Sequence, residues 1–136
     1  MPKDIRQTVT LPASPAEVYE ALMDSRKHAA FTGQAAEISG EVGGSISAGD
    51  GYISGTNLEL VPGRRIVQAW HASDWPEGII STATFDLAAD GQRTRLTFRH
   101  SGVPDGAYED IRTGWHEFYW KPLKAWLVSH RERQAE

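Results

Sequence analysis

The stretch GWHEFYWKPLKAWL, Gly114–Leu127, crowds Trp115, Phe118, Tyr119, Trp120 and Trp126 around a single proline, Pro122. Advancing about 100° per residue from Tyr108 places Tyr108, Ile111, Trp115, Phe118, Tyr119, Pro122, Leu123 and Trp126 on one broad apolar face. Asp110, Glu117, Lys121 and Lys124 fall opposite, and Trp120 and Leu127 fall on the flank beside His116. No glycine follows Gly114, and His130, Arg131 and Arg133 suit the negative end of a helix dipole. The pattern predicts one long helix over about residues 108–132. An aromatic stripe at helical spacing is usually core, but bulky rings can also hold a helix off its neighbour and wall a cavity. The two readings are compatible along one face. Pro122 lacks a backbone donor and crowds the preceding turn, which predicts a kink, or a hinge that controls access to the interior.

Such a helix needs a partner layer, and the preceding chain supplies one. Between Ala35 and Ser101 the pairs and triplets SGEVGG, AGDG, VPGR, WPEG and ADGQ punctuate runs rich in Ile, Val, Thr and aromatics. This is the texture of an antiparallel meander of about six strands, clearest at 52–61, 64–71, 79–88 and 93–101. LAADGQRTRL carries the Asp-Gly hairpin signal. Ahead of the meander, IRQTVTL (5–11) alternates as a half-buried strand. Ser14, Pro15 and Glu17 then form a capping box with proline at the first helical position. A second short helix runs from Ser25 to Phe31 and ends at Gly33. The fold expected is α+β: a curved antiparallel sheet of about seven strands gripping a long C-terminal helix, with two short helices after strand 1. Residues 1–136 are expected to form a single domain.

The totals bound the function. Acidic residues exceed basic ones, 18 against 14, for a net charge of −4, which argues against nucleic-acid binding. The absence of cysteine excludes disulfides, thiolate nucleophiles and cysteine metal sites. No apolar run approaches a membrane span and MPKDIRQTVTL lacks a signal-peptide core, so the expected location is cytoplasmic. The phosphate-binding glycine patterns are missing. In GYISG, Ser54 stands one place too late for a nucleophile elbow. Histidines at 28, 71, 100, 116 and 130 are scattered, with His71 and Asp74 the only weak metal pair, so neither metal nor cofactor is expected.

Period-two phasing of the strands points Ser54, Thr56, Gln68, Ser81 and His100 toward the helix, alongside Leu58, Leu60, Ile66, Trp70, Phe85, Leu96 and Phe98. Buried polar groups need partners. These either satisfy one another or orient a bound molecule. A slip of one residue would turn any strand's set outward.

Three segments carry a family resemblance: SGTNLELVPGRRIVQAWHASDWPEG (54–78), TRLTFRHSGVP (94–104) and GWHEFYWKPLKAWL (114–127). They resemble the C-terminal domain of the activator of heat-shock-protein-90 ATPase and its single-domain bacterial relatives, within the START-like, birch-pollen-allergen-like superfamily. Together with SPAEVY, the resemblance covers about residues 5–128. It implies the helix-grip fold. It also implies that Trp70, Trp75, Pro76, Gly114, Trp115 and Trp120 are architectural. The superfamily holds carriers, cyclases, hydrolases and co-chaperones on one scaffold. The eukaryotic activator carries a further N-terminal domain; this chain is expected to match the C-terminal-type domain alone.

The leading expectation is a binding module for an apolar or amphipathic small molecule, held between sheet and helix by Ser54, Gln68, Trp70, Phe85, Phe98, His100, Trp115, Phe118, Tyr119 and Trp126. The alternative is a protein-interaction module, co-chaperone-like or serving a stress response, with an exposed patch around Trp75, Trp120 or Leu127. An enzyme acting on an aromatic substrate ranks last, because no nucleophile or base is identifiable. The chain is expected to be a monomer or a weak dimer.

Overall fold

The computed structural model describes residues 4–48, 51–75 and 77–135; the side chains of Asp105, Phe118 and residues 130–135 lie outside the described set, as does Pro76. Strand β1 (Ile5–Leu11) buries Ile5, Val9 and Leu11 on one face. Helix α1 (Pro15–Met23) opens with the expected capping box: Ser14 Oγ accepts from the Glu17 N–H at 3.3 Å, and the Glu17 carboxylate accepts from the Ser14 N–H. Helix α2 (Ser25–Thr32) starts on Asp24, whose carboxylate accepts from the Lys27 N–H at 3.0 Å. It stops at Gly33, whose φ of 75° is costly for any residue with a Cβ.

Six more strands complete the sheet: β2 (Glu37–Ile38), β3 (Ser45–Ala48), β4 (Ile53–Val61), β5 (Arg65–Ala72), β6 (Ser81–Asp90) and β7 (Arg93–Ser101). With β1 they form one seven-stranded antiparallel sheet in the order β1-β7-β6-β5-β4-β3-β2. The first strand closes against the last, so β1 makes one edge and the short β2 the other. Gly91 (φ 63°) turns the β6–β7 hairpin between the paired Asp90 and Arg93. In β5, β6 and β7 the burial alternates with period two, which puts Ile66, Gln68, Trp70, Ser81, Ala83, Phe85, Leu96, Phe98 and His100 on the covered face.

Strand β4 departs from its expected phase. The pairing jumps from Asn57↔Gln68 to Glu59↔Val67, so Leu58 is the extra residue of a β-bulge. Leu60 opposite Ile66 does face the core, as expected, but the bulge inverts the parity before it. The inward residues are Ile53, Gly55 and Asn57. Ser54 and Leu58 are exposed, and Thr56 pairs with Ala69 on the outer face. The expectation that Ser54, Thr56 and Leu58 point at the helix is corrected accordingly.

The C-terminal helical region covers the sheet, but it is not one α-helix. A short 3₁₀ turn leads into α3 (Tyr108–Gly114), a π-helical segment spans Trp115–Trp120, and α4 runs Lys121–Ala135. The widening ends at Pro122. That residue offers no N–H to the turn before it, and its ring crowds the carbonyl four residues back. Pairing of the Lys121 N–H with the His116 carbonyl, five residues back, relieves the crowding. The extra residue also rotates the remainder of the helix. Trp115, Trp120, Leu123 and Leu127 become the core line, each at most 2 % exposed, whereas Trp126 is only partly buried. Trp120 and Leu127 are therefore central, not on the flank.

Candidate functional site

Aromatic packing decides where the interior is solid. Phe85 and Phe98 meet at 5.0 Å between ring centroids, Phe98 and Trp115 at 4.2 Å, and Trp115 and Trp120 stack at 5.4 Å with planes 18° apart. Under β6 and β7 the helical layer therefore rests directly on the sheet. Trp70 of β5 also packs on Trp115, at 4.8 Å between centroids, but past that contact toward the start of β4 the layers part. There Trp70, Trp115 and Tyr119 turn their rings to a cavity of about 350 Å³. Thr32 and Gln34 close it from the end of α2, Tyr52 and Ile53 from the start of β4, and Asp110, Ile111 and Gly114 from α3. Tyr52 and Asp110 are exposed and mark its mouth. Behind Trp70 and Tyr119 lies a second void of about 20 Å³, reached by His28, Gln68 and Phe85. The two rings, 6.4 Å apart between centroids, stand between the cavity and this void.

The buried polar groups form two satisfied chains. In the first, Trp115 Nε1 donates to His100 Nδ1 at 3.0 Å, and His100 Nε2 lies 2.6 Å from Ser81 Oγ. An indole N–H can only donate, so Nδ1 must hold its lone pair and Nε2 must carry the proton. Ser81 then accepts from His100 and directs its own proton to the Trp70 carbonyl at 3.4 Å. That tautomer is the wrong one for a Ser–His nucleophile pair, in which Nε2 takes the serine proton. Burial pushes the His100 imidazole down to about 4, consistent with a neutral ring.

In the second chain, Trp70 Nε1 donates to Gln68 Oε1 at 3.1 Å and Gln68 Nε2 donates to Asn57 Oδ1 at 3.2 Å. Asn57 Nδ2 then donates to the carbonyls of Ser39 and Glu41 at 2.6 and 3.0 Å. His28 stands apart. It is buried, packs against Phe31 and Tyr119, and its Nδ1 has no partner among the described residues; burial pushes its imidazole down to about 4.

Of the side chains expected to contact a ligand, the structure brings Trp70, Trp115 and Tyr119 together around the cavity. Gln68 and Phe85 reach only the inner void, Phe98 and His100 are sealed in the core, Ser54 faces outward, and Trp126 does not line the space. The Phe118 side chain lies outside the described set. Tyr52, Asp110, Ile111, Thr32 and Gln34 were missed as ligand contacts. Helical periodicity puts Ile111 on the apolar face but Asp110 opposite it, and Tyr52, Thr32 and Gln34 sit at the ends of elements, where periodicity is a weak guide. The expected exposed patch is also corrected, since Trp75, Trp120 and Leu127 are 6 %, 1 % and 2 % exposed. Trp75 packs edge-on to His71. Among the described residues no cluster of three metal-ligating side chains occurs, and no helix is long and apolar enough to cross a membrane.

The chain matches the family model described as "Activator of Hsp90 ATPase homolog 1-like protein" over residues 12–127. It is 32 % identical over 115 residues to the human "Activator of 90 kDa heat shock protein ATPase homolog 1", covering 85 % of this chain and 34 % of that protein. The chain thus spans about a third of the length of the curated relatives it matches. Among solved structures, an Hsp90 activator from Plasmodium falciparum superposes with a TM-score of 0.85 at 24 % identity, over 90 % of this chain and 94 % of that one. The solution structure of an Aha1 dimer from Colwellia psychrerythraea gives 0.77 at 23 % identity, over 92 % and 96 %. The two structural likenesses establish the helix-grip fold, and the match over residues 12–127 establishes more: this chain belongs to the family of activator of Hsp90 ATPase homolog 1-like proteins.

Proposed function

We propose that the protein is a small-molecule-binding module whose residues 1–136 act as one domain. Its ligand, apolar or amphipathic, sits between β4–β5 and the α3–π segment. The carrying observation is the cavity of about 350 Å³ walled by Trp70, Trp115 and Tyr119. Its size falls at the small end of the range typical of ligand sites, and its lining combines apolar rings with a few placed polar groups. The helical layer is packed solid against β6 and β7, so the gap near β5 is a local feature rather than loose packing throughout. Native mass spectrometry of protein purified from its own cell, followed by denaturing extraction, tests the reading. A reproducible small-molecule adduct supports it. An apo mass, together with no saturable binding across an aromatic compound library, overturns it.

A second reading, a co-chaperone-like interaction module, draws on the relatives named as activators of the Hsp90 ATPase. Its surface would lie away from the buried tryptophans. Val42 and Leu58, 63 % and 48 % exposed, are brought near each other where the Gly43 N–H donates to the Asn57 carbonyl. Adding the protein to an Hsp90 from the same cell and measuring ATP turnover separates this reading from the first. A monomer or weak dimer fits both, and sedimentation across a concentration series reads it.

A further inference from the structure

We propose that the cavity selects organic cations: an aromatic or amphipathic amine whose apolar body packs against Trp70, Trp115 and Tyr119 while its ammonium meets Asp110 at the mouth. This rests on the small-molecule reading above and adds the charge class of the ligand.

The lining is one-sided in charge. Among the described residues, Asp110 is its single acidic side chain, and no Lys, Arg or His borders it. Asp110 has no ion-pair partner among the described residues. Its neighbour Arg112 does not neutralise it. That guanidinium is held by Glu109 at 2.8 Å and lies along a separate groove with Gln7 and Trp120. A second carboxylate stands beside the mouth, because the Tyr52 hydroxyl donates to Asp74 Oδ1 at 2.8 Å. Tyr52 registers this surrounding: its phenol is pushed up to about 12, by burial first, then by the bond to Asp74 and the charges of Asp74 and Asp110.

The walls suit the other end of such a ligand, since the rings of Trp70, Trp115 and Tyr119 line the cavity and take its apolar body. A carboxylate or phosphate ligand would find no lining cation and would approach two like charges. The neutral Thr32 and Gln34 of the lining can serve a hydrogen-bonding group of either polarity, so they do not change the sign of the preference.

The test uses three probes of one shape: 2-naphthylmethylamine, 2-naphthylmethanol and 2-naphthoate, titrated calorimetrically at pH 7. The amine is expected to bind about tenfold tighter than the alcohol, with the carboxylate weakest. Its advantage should shrink in high salt. Asp110→Asn should bring the amine's affinity down to near the alcohol's, and an unfolding curve matching the parent's shows that the variant is folded. Alcohol binding equal to the amine, or carboxylate binding tightest, overturns the cation preference and leaves the cavity reading standing. Failure of all three probes overturns both.

Discussion

Trp115 and His100 lock each other's orientation. The indole N–H of Trp115, on the π segment, donates at 3.0 Å to Nδ1 of His100, at the end of β7. A protonated imidazole would have to turn an N–H at that same N–H, so the contact requires a neutral ring. We expect long-range ¹H–¹⁵N spectra to show His100 as the Nε2–H tautomer throughout the neutral range. Replacing it by Leu strands the Trp115 donor in the core and leaves the Ser81 hydroxyl only its long bond to the Trp70 carbonyl, at a cost of about 2–4 kcal/mol in urea unfolding. Ser81→Ala strands the His100 Nε2–H instead and should cost about 1–3 kcal/mol. A Nδ1–H tautomer, or a loss below about 1 kcal/mol for His100→Leu, would contradict this bonding scheme.

Two buried imidazoles give the fold an acid limit. His28 and His100 are both held near 4, against an ordinary 6.5, by burial. Their folded values are depressed, so between pH 4 and 6.5 the unfolded chain binds more protons than the folded one. Stability from this source is complete above about pH 6.5 and drains as the pH falls toward 4. Each histidine contributes on the order of 3 kcal/mol to that drop. His28→Leu removes one share and deletes an unpartnered buried nitrogen. We expect it to be neutral or slightly stabilising at about pH 7 and to flatten the pH 4–6.5 slope of the unfolding free energy.

The π segment inverts the ranking of two tryptophans. On a regular α-helix Trp126 would be central and Trp120 peripheral. In the structure Trp120 is 1 % exposed, stacks on Trp115, and donates from Nε1 to Gln7 Oε1 at 2.6 Å. Trp120→Ala should cost about 3–5 kcal/mol, and Trp126→Ala less than about 2. Equal losses, or the reverse order, would mean that the helix runs without the extra residue.

Period and caps account for the parts of the fold that were legible in the sequence. The capping box at Ser14, the glycine stop at Gly33 and the Gly91 turn are local chemistry, and each formed where its residues stood. The alternation in β5, β6 and β7 was likewise readable, which is why Gln68, Ser81 and His100 were placed inward correctly. Two insertions broke the rest. The bulge at Leu58 shifts β4 by one residue, and the π turn before Pro122 shifts the helix by one. The π turn answers the crowding of Pro122, and neither it nor the bulge is expressed by a uniform period of about 2 or 3.6. The cavity suffered most, because its mouth is made by Tyr52 and Gln34 at the ends of elements and by Asp110, which helical periodicity puts opposite the apolar face.

The bulge makes the last prediction a comparison of two neighbours. Unbroken alternation back from Leu60 would make Ser54 interior and Asn57 exterior. The pairing of Asn57 with Gln68 instead puts Asn57 in the core, 1 % exposed, where one amide ties Gln68 to the carbonyls of Ser39 and Glu41. Asn57→Ala therefore frees three hydrogen-bonding groups, of which Gln68 Nε2 lies away from water and keeps only the long 3.7 Å contact to the Met23 sulfur. A loss of about 2–3 kcal/mol is expected. The 39–44 turn should loosen with it, visible as faster amide exchange at Gly43 and Gly44. Ser54→Ala, on the exposed face, should stay within about 0.5 kcal/mol of the parent and leave ligand affinity unchanged. Opposite results at the two positions would restore unbroken alternation in β4 and would move the cavity's floor from Ile53 to Ser54.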